Sequence, residues 1–261
     1  MVKINYGWKY EAAIWLVFPI VGFFISLLIY PYAMERNAVP HAYTFSKVNA
    51  SNGVKLYTLR TDPEHVELKA IDTNLLNTGL YGINGGFFYN GDLLSIAVMD
   101  DWPVKAAPND YGSGWYNTGL ARGTLVWDKV LKHFSVQVVD SADQLQVTNR
   151  LAYWAQGGVS MGLSEGSSWE RLMPEQRMPA YDEQRLRSGA AFDSEGKLWL
   201  IVTPTLCTVE QFRSAILERI IPGKLIDGIF LDGDGSSQFA SRTAKLGGDG
   251  REVYQMLQIA K

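Results

Sequence analysis

Leu198-Trp199-Leu200-Ile201-Val202, Thr208-Val209-Glu210-Gln211-Phe212 and Gly228-Ile229-Phe230-Leu231-Asp232-Gly233-Asp234-Gly235-Ser236-Ser237-Gln238 are the three strings on which the fold turns. The first is continuously apolar, as expected of a strand covered on both faces. The second opens a helix. Thr208 as N-cap with Gln211 three residues on makes a capping box, Val209, Phe212, Ile216 and Ile220 share one stripe, and Pro222-Gly223 stops it. The third is a short buried strand running straight into a loop of carboxylates, glycines and serines. Strand, helix and strand in this order read as a βαβ unit, and open α/β sheets place ligands at the carboxyl end of such a strand.

Upstream, residues 54–60 and 66–72 alternate apolar and polar side chains, with Thr61-Asp62-Pro63 as the turn of a predicted hairpin. Residues 123–127 and 133–139 repeat the pattern around Asp128-Lys129. The expected fold class is α+β: a mixed β-sheet core with flanking helices, preceded by one N-terminal transmembrane helix. That helix is predicted over residues 12–33, which carry 22 consecutive positions without a formal charge. At the rise of an α-helix they extend about 33 Å, enough to span a hydrocarbon core. Trp15 near one end and Tyr30 and Tyr32 at the other suit the interfacial belts, and Pro31-Tyr32-Ala33 is a poor signal-peptidase site, which favours an anchor over a cleaved signal. Lys3 and Lys9 before the span favour a short cytoplasmic N-terminus. The predicted organisation is therefore a cytoplasmic stretch 1–11, the span 12–33, a linker 34–50 and an extracytoplasmic domain 51–261 at the cell membrane.

Composition excludes several classes. With 24 Lys+Arg against 27 Asp+Glu the net charge is -3, so no global positive field exists to hold nucleic acid. A single cysteine, Cys207, rules out an intramolecular disulfide and a Cys-rich zinc site, and the three histidines show no zinc-hydrolase spacing. No internal repeat points to a solenoid or propeller.

The loop 232–238 lacks the lysine of a phosphate-binding Walker loop, the terminal glutamate of an EF-hand and the G-x-S-x-G form of a serine-hydrolase elbow. Its glycines Gly233 and Gly235 let a ligand approach the main chain. A second concentration is Ile83-Asn84-Gly85-Gly86-Phe87-Phe88. A third is Arg187-Ser188-Gly189-Ala190-Ala191-Phe192-Asp193, in which an arginine enters a strand of small residues, one way in which a guanidinium grips phosphate.

In this order and spread, Asn84 to Phe88, Gly157-Gly158, Arg187 to Asp193, Leu231 to Ser237 and Arg251-Glu252-Val253 resemble the phosphodiester glycosidase family over residues 55–260. The chain departs from that pattern at Asp234, where the family loop carries glycine, and at Arg187-Ser188-Gly189-Ala190-Ala191, where the family has R-T-A-x-G. The resemblance implies hydrolysis of the bond between a sugar and a phosphodiester. Asp232 is then the catalytic carboxylate, Arg187 the phosphate clamp and Asn84 the third catalytic residue, with Gly85, Gly86, Gly157, Gly158, Gly233, Gly235, Ser236 and Gln238 binding substrate. Asp234 is either a carboxylate paired with Asp232 or a replacement that recruits a divalent cation; no other cofactor is implied. The expected partner is a glycosyl phosphate, in an envelope polymer or a glycolipid. A catalytically silent binding module and a metal-dependent phosphodiesterase are the rival readings.

Overall fold

The computed structural model describes residues 42–260, together with Gly22, Phe23, Ile25 and Ser26. Those four residues are helical and belong to a unit, residues 1–41 with 261, separate from 42–260. The rest of the predicted span 12–33, and the predicted cytoplasmic stretch 1–11, lie outside the described residues. Among the described residues no helix is long and apolar enough to cross a membrane, so the transmembrane helix expected as part of the fold class finds no support there.

Unit 42–260 is built mainly of β-strands, which corrects the α+β expectation. A six-stranded sheet runs in the order Tyr43–Asn49, Lys55–Thr61, Leu198–Cys207, Arg185–Asp193, Leu225–Phe230, Val159–Ser160. A second sheet of five contains Arg122–Asp128, His133–Val139 and Tyr153–Gly157 at its centre and one edge. A third sheet of five places Gly82–Asn84 between Gln238–Ala240 and Val253–Ile259. A two-stranded ribbon, Phe88–Tyr89 with Asp92–Leu93, completes the set. Only two α-helices occur in this unit, Leu172–Glu175 and Val209–Arg219. Every ladder between these strands is antiparallel, so the sheets are not mixed.

The predicted strand–helix–strand unit exists with one change. Leu198–Cys207 and Leu225–Phe230 are parallel to each other, but Arg185–Asp193 is inserted between them and pairs antiparallel with both. Small side chains permit the insertion. A Cβ on Gly189 would overlap the Met161 side chain, and one on Gly228 would stand 2.5 Å from the Ala190 carbonyl. The capping box forms as the sequence predicts, Thr208 accepting from the Gln211 amide and the Gln211 side chain accepting from the Thr208 amide. The helix Val209–Arg219 lays Val209, Phe212 and Ile216 over Trp199, Ile201, Ala191 and Phe230 on one face of the large sheet. Leu200, Val202, Ala190 and Ile229 on the other face pack with Ile83, Phe239, Leu257 and Trp154. That double burial is why Leu198 to Val202 reads as an unbroken apolar run.

The hairpin 122–139 is present around Asp128. The hairpin predicted from 54–60 and 66–72 is not. Lys55–Thr61 pairs with Leu198–Cys207 and with Tyr43–Asn49, and Val66–Thr73 pairs with Val253–Ile259. A single 3-10 turn, Pro63–His65, carries the chain from the first sheet to the third. Residues 43–49, in the stretch expected as a linker, form the edge strand of the large sheet.

Candidate active site

The strand Leu225–Phe230 ends at Leu231, whose amide still donates to Ser188 O at 3.0 Å; one residue on, the Asp232 amide has switched to Gly85 O at 3.2 Å. The chain has left the large sheet and joined the third. It makes one 3-10 turn, Asp234–Ser236, and enters the strand Gln238–Ala240. Asn84 fastens this crossing. Its Nδ2 donates to Asp232 O (2.8 Å) and Gly85 O (3.2 Å), while its Oδ1 accepts from Ser188 Oγ (2.8 Å) and the Gln238 amide (3.1 Å). Buried and fully committed to the protein, Asn84 holds three motifs together and has no polar capacity left for a ligand.

Beside the crossing lies a cleft of about 200 Å³ lined by Phe87, Met178, Pro179, Ala180, Arg185, Arg187, Asp232, Gly233, Asp234 and Arg251. Asp232 and Arg187 therefore share one site although 45 residues of sequence separate them. Burial pushes the Asp232 carboxyl up to about 6; hydrogen bonds from the Ser236 side chain and the Gly233 amide and the charge of Arg251 pull against that rise, and Asp234 adds to it. A carboxyl so poised changes protonation near neutrality, which is the condition for proton transfer.

Three arginines line the same cleft, and of these the charge of Arg251 acts on Asp232. Arg187 is 3% exposed, and burial lowers its pKa. Its Nε donates to Cys207 O (3.1 Å) and its Nη2 to Ala180 O (2.5 Å) and Glu183 O (2.7 Å). It thus pins the strap 178–183 that forms one wall, and only Nη1 makes no hydrogen bond among the described residues. Arg185 and Arg251 are more open, each paired with carboxylates: Arg185 with Glu183 and Asp234, Arg251 with Asp249. In the sequence Arg185 is hidden, because Glu183-Gln184-Arg185 resembles a solvated charged run, and Arg251 stands out only within Arg251-Glu252-Val253.

The remaining predicted residues divide by position. Gly233 lines the cleft, and Ser236 bonds to Asp232. Gly235 packs against Asp249 and Arg251, where a Cβ would overlap both. Gln238 is buried, its Oε1 accepting from the Leu75 amide (2.7 Å) and its Nε2 donating to Arg251 O (2.9 Å), so it supports Arg251 from behind. Gly85 and Gly86 donate their amides to Gln255 O (2.8 Å) and Gln255 Oε1 (3.0 Å), and Gly157 and Gly158 donate to Ile96 O (2.6 Å) and Gly123 O (2.8 Å). These four glycines are close-packing positions away from the cleft lining. Because a Cβ on Gly85 would overlap the Gln255 side-chain amide, Gly85→Ala is expected to cost about 1–3 kcal/mol, read as a lower urea midpoint at unchanged m-value.

Asp234 is bound to Arg185 Nη1 at 3.1 Å, and among the described residues no group of three or more His, Cys, Asp or Glu side chains is placed to hold a metal ion. Cys207 is buried, and burial raises its thiol to about 11, which overrides the adjacent helix N-terminus. In the aromatic loop 110–116, Trp115 packs into the core while Tyr111 is exposed. A larger cleft of about 370 Å³ uses the strap's Tyr181 and Asp182, but its lining carries Glu170, Asp182 and Glu210 with no cation, a poor setting for phosphate.

No protein-family model and no curated protein matches the chain. Among solved structures it is similar to the catalytic domain of the zebrafish N-acetylglucosamine-1-phosphodiester alpha-N-acetylglucosaminidase, in a form auto-inhibited by its pro-peptide. The TM-score is 0.62 at 14% identity, covering 84% of this chain and 82% of that one. A hypothetical protein from Synechocystis matches with a TM-score of 0.46 at 12% identity, covering 83% of this chain and 61% of that one. At such identities the first likeness is one of fold.

Proposed function

We propose that the chain is a hydrolase that cleaves the bond between a sugar and a phosphodiester, in an envelope polymer or a glycolipid. The observation that carries this reading is Asp232, raised to about 6 in a cleft it shares with Arg185, Arg187 and Arg251. The fold likeness to the zebrafish phosphodiester glycosidase agrees with it. A cleft of about 200 Å³ suits a phosphate and the sugar next to it.

The chemistry divides between the two kinds of group. When a glycosyl phosphodiester is cut at the anomeric carbon, the departing group is a phosphate monoester, whose second pKa is about 6. It leaves as a stable anion and needs positive charge more than a proton, which the arginines supply. Water is the weak partner. Asp232, ionised, takes its proton as the water oxygen bonds to the anomeric carbon, the C–O bond to phosphate breaks, and the electron pair departs with the phosphate oxygen. Asp234, which pairs with Arg185 before substrate binds, takes no part in this step.

The pH profile tests the role. With Asp232 as base, kcat/KM for a glycosyl phosphodiester should rise with pH, with a slope of about one, up to about pH 6 and then level off. A profile that falls through the same range would assign Asp232 the acid role, and one that is flat there would remove it from proton transfer.

A further inference from the structure

Arg185 and Arg187 stand two positions apart on the strand Arg185–Asp193, both line the cleft, and the ladder to Leu198–Cys207 shifts register between them. Such irregularities re-aim side chains, and the two guanidinium groups have different employment. Arg187 is buried and tied to backbone carbonyls. The Arg185 side chain is 40% exposed and bonds only to carboxylates: Nε and Nη2 to Glu183 Oε2 (3.1 and 2.7 Å) and Nη1 to Asp234 Oδ2 (3.1 Å). Arg251, also on the cleft and 46% exposed, donates its side chain only to Asp249. The cleft thus holds two accessible guanidinium forks, Arg185 engaged by two carboxylates, Glu183 and Asp234, and Arg251 by one, Asp249.

Asp234 is the unusual one of these carboxylates. Its φ is +52°, in the left-handed region that favours glycine and that aspartate tolerates at some cost. It sits on a single 3-10 turn beside Asp232, a like charge, and its side chain is 48% exposed. An ion pair this exposed is weak and readily exchanged, whereas a phosphate offers Arg185 several oxygens and a bidentate geometry.

We propose that Arg185 and Arg251 form the phosphate grip of the cleft, and that Asp234 is a displaceable latch that occupies Arg185 until phosphate takes its place. The latch rests on the phosphate-bearing substrate class proposed above, but not on turnover. It makes the departure from glycine at position 234 a device that sets phosphate affinity, because every phosphate that binds Arg185 must first break the Asp234 pair.

Calorimetric titration of inorganic phosphate at fixed ionic strength tests this in the full chain, in Asp234→Asn, in Arg185→Gln and in the double variant. Asp234→Asn should tighten phosphate by about three- to fivefold, the scale of an exposed ion pair. Arg185→Gln should weaken it by at least about tenfold, the scale of a lost charged hydrogen bond. The double variant should match Arg185→Gln within about twofold, because the latch acts only through that arginine. Should Arg185→Gln fail to fold, Arg185→Lys, which keeps the charge and loses the fork, should weaken phosphate in the same direction. An undiminished gain from Asp234→Asn in the Arg185→Gln background overturns the proposal, since it would reflect removal of negative charge alone. So does an Arg185 variant that binds phosphate as well as the unmodified chain, or an unmodified chain that binds none. The predicted pattern in a protein that turns over no glycosyl phosphodiester would keep the latch and remove the hydrolase.

Discussion

Asp232→Asn should lower kcat on a glycosyl phosphodiester by at least about 100-fold, the contribution of a positioned acid or base, and at the same time make the protein more stable. The two effects share one cause. Burial raises this carboxyl from 3.8 to about 6, so the folded chain holds the proton more tightly than the unfolded chain does. Ionisation therefore works against the fold: the penalty is absent below about pH 4, grows between about pH 4 and 6, and is complete above. An asparagine carries no charge to desolvate and still accepts from the Gly233 amide through its Oδ1. At pH 7.5 the variant should gain up to about 3 kcal/mol, and at pH 3.5 the gain should be gone, which thermal melts at the two pH values would read. Activity and stability moving in opposite directions is what a residue kept for chemistry shows. A variant that lost both would make Asp232 a structural carboxylate.

Arg187→Lys should destabilise the protein by about 2–4 kcal/mol, because one ammonium group cannot replace a fork that reaches the carbonyls of Ala180, Glu183 and Cys207. The Cys207 carbonyl, which is buried, and the half-exposed carbonyls of Ala180 and Glu183 would lose the guanidinium, and the strap 178–183 would lose the post that holds it against the cleft. Urea midpoints should fall, and kcat/KM should fall with them as the wall carrying Met178, Pro179 and Ala180 shifts. A variant of unchanged stability with only KM raised would instead place Arg187 directly on the phosphate, the role its sequence context suggests.

The contrast between Arg187 and Arg185 shows what could be read from the sequence and what could not. Local signals survived into the structure. The capping box at Thr208 and Gln211, the hairpin around Asp128 and the change from strand to loop at Leu231 depend on residues within a few positions of one another. Strand partnership depends on distant residues. Nothing local marks Arg185–Asp193 as the strand that divides the strand–helix–strand unit, or Val66–Thr73 as a partner of the C-terminal Val253–Ile259. The strand–helix–strand reading fails there, because a helix between two strands does not make them neighbours, and the α+β class fails because most of the remaining chain forms antiparallel strands. The site was legible as a convergence, since glycines and polar residues without periodicity at Asn84, Arg187 and Asp232 require a common place to pack. The division of labour within it was not. Asn84, Gln238 and the four close-packed glycines look in sequence like ligand-binding groups because a tight crossing between two sheets needs the same residue types as a binding loop: small ones for approach, and amides to satisfy backbone. Arg185 looks like solvent-facing charge because its partners Glu183 and Asp234 lie 2 residues before it and 49 after it.

Hydrolysis in oxygen-18 water is the most direct measurement of the central claim, that Asp232 and its arginines cut the sugar–oxygen bond of a glycosyl phosphodiester. Mass spectra of the products should carry the label on the sugar and none on the phosphate, and Asp232→Asn should remove the labelled sugar. Label on the phosphate would mean attack at phosphorus and a phosphodiesterase, and no labelled product from any glycosyl phosphodiester would leave a cleft that binds phosphate without chemistry.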